Sequence, residues 1–292
     1  PVVVDLQLEN QASFDGLLRV AQFDNDGDVC FDEVPVHLLA SSGGAQRYFL
    51  YILPSGEDSD ANLRVDVLDE RGEAVTAIYN GVPKRTVRVE DRPTSLEEEF
   101  LLLVDISVGS GAHAGDLSDA ELTGHFHRDV YTSRLAAGDI PEHWIGLEAV
   151  DFIVWDEADP ADFKSEAQLR ALVGWVRHGG TLVVAAARTA GSLATTELID
   201  AILPVDIAAV TQVSNLGAIP QRLLGVEGKF RAADEKEKFI PDPLLEPVTV
   251  APCKPRKPAA MLSYYSDDER PDLYALITRH QVGHGYVVFC GV

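Results

Sequence analysis

Cysteine is scarce in this 292-residue chain, with three, and methionine scarcer still, with one. Cys30, Cys253 and Cys290 share no metal-ligand spacing and form no CxxC pair, and an odd count argues against a disulfide framework. Cys290 lies in an apolar run and reads as a small buried hydrophobe; a bridge from it to Cys253 stays open. Positive charge is also short: 24 basic residues, of which only seven are lysine, face 47 acidic ones, for a formal charge of −23. Such a surface repels phosphates and anionic headgroups, which excludes nucleic acid and anionic membrane surfaces as direct partners. Long hydrophobic runs are absent too. No window approaches 18 unbroken apolar residues, so no segment reads as a membrane-spanning helix, and no basic-apolar leader opens the chain. It starts at Pro1, in PVVVDLQL, without a methionine, and stops on YVVFCGV, which reads as a core strand. Both ends read as cuts in a longer protein, which leaves a leader or a membrane anchor in the parent chain open.

What is present is ordinary globular material, 46% hydrophobic and 24% charged, at a length that favours two domains. The first 90 or so residues are short strands between turn signals: VVVDLQL (2–8), LLRVAQF (17–23), VPVHLLA (34–40), AQRYFLYIL (45–53), NLRVDVLD (62–69), AVTAIY (74–79) and KRTVRVE (84–90). Leu63, Val65 and Val67 alternate with Arg64 and Asp66, as in a strand with one buried face. DERGEA and YNGVP supply turns. Seven strands with no helix between them predict an all-β sandwich of immunoglobulin or fibronectin-III type over residues 1–92. The polar stretch EDRPTSLEEE then reads as a linker.

From residue 98 to 292 the rhythm becomes strand and helix. FLLLVDISV is continuously apolar, as in a strand of a parallel sheet buried on both faces; DVYTSRL (129–135) and DFIVW (151–155) are further strands. The clearest helix follows. Ser165 and Gln168 make a capping box, Leu169, Leu172, Val173 and Val176 form one apolar stripe, and Gly179 stands where a left-handed stop is wanted. TLVVAA (181–186) is the next strand, and TTELIDAILP a second helix ended by Pro204. VTVAP, AMLSYY, LYALITRHQV and YVVFC are strands, the last two joined at GHG (283–285). The expected second domain is a doubly wound α/β fold with an antiparallel extension.

The run LEAVDFIVWDEADP, continued by SEAQLRALVGWVRHGGTLVVAAARTAG, resembles the class I glutamine amidotransferase-like superfamily. More narrowly it is similar to amidotransferase-like domains of large bacterial envelope proteins, in which a β-sandwich often precedes the α/β domain. The likeness is sharp only from Leu147 to Gly191. It implies a flavodoxin-like fold and an extracytoplasmic, envelope-associated setting. Active members carry G-x-C-x-G on a nucleophile elbow, and here those positions are Ala185, Ala186, Ala187, Arg188 and Thr189. Ala187 stands in the place of the cysteine, and both elbow glycines are missing. Nor is there a His-x-Glu pair near the C-terminus, where His280 and His284 are followed two residues later by Val282 and Tyr286. The resemblance therefore implies a scaffold without its reactive centre.

Three other groups carry possible chemistry. In FDNDGDVCFDEV (23–34), Asp24, Asp26, Asp28 and Glu33 offer hard oxygen ligands for calcium. In EF-hand register Asp24, Asp26 and Glu33 fall at positions 3, 5 and 12, with Gly27 at the turn. Gln22 at position 1 and the flanking strands fit a solvated hairpin loop equally. His125 and His127, in HFHRD, would share a strand face and with Asp116 or Asp119 could bind zinc, although no third ligand is fixed by spacing. Asp156, Glu157, Asp159 and Asp162, in DEADPAD, follow a strand whose carboxyl end is the usual ligand side of a parallel sheet; they serve equally as an acidic cap on the next helix. The glycine-rich VGSGAHAG (108–115) lacks nucleotide-binding spacing, and Trp144, Trp155 and Trp175 carry no spacing argument. The expected function is a non-catalytic interaction or ligand-sensing module with a protein partner and, calcium aside, no cofactor. The alternatives are a hydrolase using a non-standard site on the same scaffold and a calcium-dependent adhesion module.

Overall fold

The computed structural model describes residues 1–9, 11–23, 28–40, 44–52, 63–88, 100–107, 122–123, 126, 128–185, 187–207, 210–213, 248–256, 259–267 and 270–291. The chain divides into two compact units, Pro1–Glu98 and Glu99–Val292.

The first unit is built on a long hairpin. Strands β1 (Val2–Leu6), β2 (Ser13–Phe23), β3 (Val29–Leu39), β4 (Gln46–Leu50), β5 (Arg64–Asp69), β6 (Ala77–Tyr79), β7 (Val82–Lys84) and β8 (Thr86–Arg88) follow in order. β3, β2, β5 and β8 form one antiparallel sheet, β1 pairs with β4, and β6 with β7. Alternation decides what is buried: Leu18, Val20, Val36, Leu38 and Val65 share one core with Leu50 of β4, against which Val2, Val4 and Leu6 of β1 pack. The β6–β7 turn is Asn80-Gly81, both left-handed (φ 50° and 76°), which is the backbone twist that a two-residue hairpin demands.

The second unit corrects the expected fold class. Its strands are β9 (Leu101–Ser107), β10 (Val130–Leu135), β11 (Phe152–Asp156), β12 (Thr181–Ala185), β13 (Val205–Ile207), β14 (Thr211–Val213), β15 (Val248–Val250), β16 (Cys253–Pro255), β17 (Ala260–Asp267), β18 (Arg270–Val282) and β19 (Gly285–Cys290). Nine of them make a mixed sheet in the order β10-β9-β11-β12-β19-β18-β16-β13, with β17 also on β18. The first five run parallel; every later pairing is antiparallel. The α-helices described from end to end are α1 (Glu166–Arg177) and two short ones, α2 (Ala190–Thr195) and α3 (Glu197–Asp200). All three pack on the face that carries Ile106, Ile153, Trp155, Leu182, Val184, Val287 and Phe289. On the opposite face, among the described residues, Leu101, Leu103, Phe152 and Val154 meet Leu122 and Val130. A doubly wound domain has a mostly parallel sheet layered with helices. Here strand predominates and four of the sheet's eight pairings are antiparallel, so the unit is a mostly β, mixed-sheet structure and not the doubly wound, flavodoxin-like one.

The expected helix TTELIDAILP is realised only as the short α3, whose N-cap Thr196 has an extended backbone (φ −90°, ψ 100°) that separates it from α2. The long β17–β18 hairpin instead makes antiparallel sheet a major part of the unit. α1 follows its sequence signals. The Gln168 carbonyl accepts from the Ser165 and Lys164 amides at 3.3 and 2.8 Å, and the apolar stripe is buried. After it, the Trp175 indole lies so close over Gly180 that a Cβ there would come within 2.2 Å of the ring; only glycine fits. Cys253 sits opposite Ala275 and Cys290 opposite Ile277, along the same edge of β18, with β17 on the other. Both are free thiols, and burial together with nearby Cys290 pushes the Cys253 thiol up to about 12.

Candidate functional site at the carboxyl end of the parallel strands

The parallel strands β9, β11 and β12 end side by side at Ser107, Asp156 and Ala185. The chain leaves β11 through Glu157, one of two described non-glycine residues with positive φ, here 56°. Left-handed backbone is uncommon outside Gly, Asn and Asp and costs about 1–2 kcal/mol in other residues. Glu157 is held there from both sides: its amide donates to the Ala185 carbonyl at 2.9 Å, and it bridges to Ser107. The twist carries its side chain across to the turn after β12. There its carboxylate accepts hydrogen bonds from the Arg188 amide at 3.1 and 3.2 Å and from the Thr189 amide at 3.2 Å. The Arg188 guanidinium lies 3.8 Å from the same carboxylate, with the arginine side chain 76% exposed and the glutamate 18%.

This is the turn on which the resemblance places a nucleophile. Ala187 is only 2% exposed, so its methyl group faces the interior, and Ala185 closes β12 beside Asp156. The amides that follow are donors of the kind that would stabilise an oxyanion, and a carboxylate of the same chain holds them. Asp159 and Asp162 are likewise engaged with the backbone. The Asp159 carboxylate accepts from the Ala161 amide and that of Asp162 from the Asp159 amide, each at 2.9 Å, which caps the short turn Pro160–Asp162. The Trp155 indole N–H donates to the Ala158 carbonyl at 2.6 Å, pinning the acidic loop onto the core. The acidic residues thus cap a short turn and the β12 turn, and α1 begins beyond them.

The other sequence candidates are dispersed. Glu33 lies well down the β2–β3 ladder, opposite Arg19, whose guanidinium binds its carboxylate at 2.5 Å. Asp28 is exposed just before β3, and Asp24 and Asp26 lie outside the described residues. So do His125, His127, Asp116 and Asp119 and the whole of 108–115. Phe126, between the histidines, is exposed and tilted against Phe152 at 5.7 Å. Among the described residues no three His, Cys, Asp or Glu side chains converge as a metal-binding group, and no helix is long and apolar enough to cross a membrane.

Sequence reasoning missed the role of Glu157 because nothing in DEADP marks the left-handed residue. It also passed over Trp144, which stacks on His178 at 3.8 Å with the rings 5° from parallel. Gly174, one turn before His178, was a readable signal for that slot, since a Cβ there would come within 3.3 Å of the Trp144 Cβ and 3.4 Å of its indole.

No family model matches the chain, and no curated protein does so either. Among solved structures, two cytoplasmic proteins of Salmonella typhimurium are similar at 12% and 14% identity, each with a TM-score of 0.39. The match covers 66% and 65% of this chain and 87% and 86% of theirs. An exo-beta-1,4-mannosidase of an Opitutaceae bacterium matches at 14% identity and a TM-score of 0.34, over 65% of this chain and 31% of its own. Likeness at this level carries no argument about fold or activity, so the functional reading rests on the chain's own residues.

Proposed function

We propose that this chain is a non-catalytic interaction or ligand-sensing module of a larger, envelope-associated bacterial protein, working through a protein partner. The observation that supports it is the Glu157 carboxylate seated on the Arg188 and Thr189 amides behind a buried Ala187. A methyl group cannot attack a carbonyl, and the amides that would stabilise an oxyanion are occupied by a side chain tethered beside them. The envelope setting comes from the resemblance of Leu147–Gly191 alone. The test is turnover by the purified chain of glutamine and of a panel of ester, amide and glycoside substrates, with and without zinc. The reading expects rates at buffer background throughout; glutamine hydrolysis at an enzyme-like rate would overturn it.

A further inference from the structure

A cavity of about 510 Å³ opens at the opposite, amino-terminal end of the parallel strands. Leu101, Phe152 and Thr181, the first residues of β9, β11 and β12, form its base, a volume within the range of small-molecule sites. Its remaining lining is of one electrostatic character. Trp144 and Trp175 contribute indole rings, whose faces attract cations. Glu148 and Asp151 contribute carboxylates, and among the described residues no lysine or arginine lines the space. The C-terminal end of α1, through His178, Gly179 and Gly180, also borders it, and the negative end of a helix dipole favours positive charge.

The walls are held in place. The Trp175 indole N–H donates to the Val150 carbonyl at 3.2 Å, and Trp144 is fixed by its stack on His178. One Asp151 oxygen accepts from the Leu102 amide at 2.8 Å, which orients that carboxylate. Glu148 has no ion-pair partner among the described residues. Its charge therefore stands beside an aromatic wall with no lysine or arginine paired to it among the described residues.

We propose that this cavity is a binding site for a small organic cation, an aromatic or alkyl ammonium, with Glu148 as the charge partner and Trp144 as the stacking surface. Aromatic contact and carboxylate attraction act on the same ligand, whereas an anion would meet two carboxylates and the helix's negative end. The site is separate from the Glu157 turn, at the other end of the strands, so it stands or falls apart from the inertness of that turn.

The experiment uses benzylamine as the probe, with benzyl alcohol as its neutral counterpart and benzoate as the anionic one. Binding to the whole chain is followed through the indole N–H resonances of Trp144, Trp175 and Trp155. Benzylamine at millimolar concentration is expected to shift Trp144 and Trp175 saturably and to leave Trp155 in place. Benzyl alcohol should bind more weakly and benzoate not at all. Glu148→Gln, a change at an exposed position, should weaken benzylamine roughly fivefold, the upper range for one exposed charge pair, and leave benzyl alcohol unchanged. No shift at either tryptophan with benzylamine, equal binding of the alcohol, or a Glu148→Gln variant that binds benzylamine as tightly as the parent would each overturn the proposal.

Discussion

Replacing Glu157 by alanine and, separately, by glycine isolates two effects that the native side chain combines. The backbone at this position is left-handed, with φ 56°, and a residue with a Cβ is disfavoured there by about 1 kcal/mol relative to glycine. The carboxylate meanwhile accepts from two backbone amides at 3.1–3.2 Å while largely buried. Hydrogen bonds to a charged group contribute about 1.5–3 kcal/mol, and these lengths place the pair toward the lower end. Glu157→Ala keeps the backbone cost and loses the hydrogen bonds, so it should destabilise the second unit by about 2 kcal/mol. Glu157→Gly loses the same bonds but relieves the backbone, and should destabilise by about 1 kcal/mol less than alanine. All three tryptophans lie in the second unit, so urea unfolding followed by tryptophan fluorescence reports on it alone. If alanine and glycine proved equally stable, the backbone argument would fail. If both matched the native chain, the carboxylate would not be holding the turn.

Two further predictions rest on buried groups of the same unit. Gln168, 1% exposed, accepts from the Lys164 and Ser165 amides and donates to the Gly138 and Ile140 carbonyls. Gln168→Leu strands those groups and should cost about 2–4 kcal/mol in the same urea assay, since each buried unsatisfied group costs about 1–3 kcal/mol; a loss under 1 kcal/mol would contradict that reading. Burial holds the His280 imidazole below its ordinary 6.5, against a smaller opposing effect of the Ile202 carbonyl. The unfolded chain then binds the proton more readily, so stability is level above about pH 6.5 and falls as pH drops from there toward the folded value. A His280→Gln variant should flatten that slope between about pH 5 and 7, and an unchanged slope would assign it to other groups.

Where short-range physics decides, the sequence could be read. α1 begins at Ser165 and ends before Gly179 because a cap, an apolar stripe and a glycine stop all act within a few residues. β11 and β12 follow from their apolar runs, and the Asn80-Gly81 turn from its dipeptide. The sheet's order is a different matter. β19 lies beside β12 because distant segments pack together, and no local pattern encodes that neighbour. The strands of the β17–β18 hairpin were legible as an antiparallel extension, but not that strand would predominate in the whole unit. The helix expected over TTELIDAILP was realised only as the four-residue α3. At the candidate site the missing nucleophile was plain from Ala187. The partner that fills its surroundings was not, because the reach of Glu157 depends on a left-handed residue and a neighbouring strand 28 residues further on. The cavity beside Trp144 was hidden for a similar reason, since it is assembled from the starts of three strands and the end of a helix.

The central claim is that the amides behind Ala187 are occupied by the Glu157 carboxylate, which closes the turn where a reactive centre would stand. Amide hydrogen exchange at Arg188 and Thr189 in the native chain measures this most directly. The account predicts marked protection at both amides, lost in Glu157→Ala while the amides of β12 stay protected. Exchange of Arg188 and Thr189 at the rate of an open, solvated loop in the native chain would contradict it.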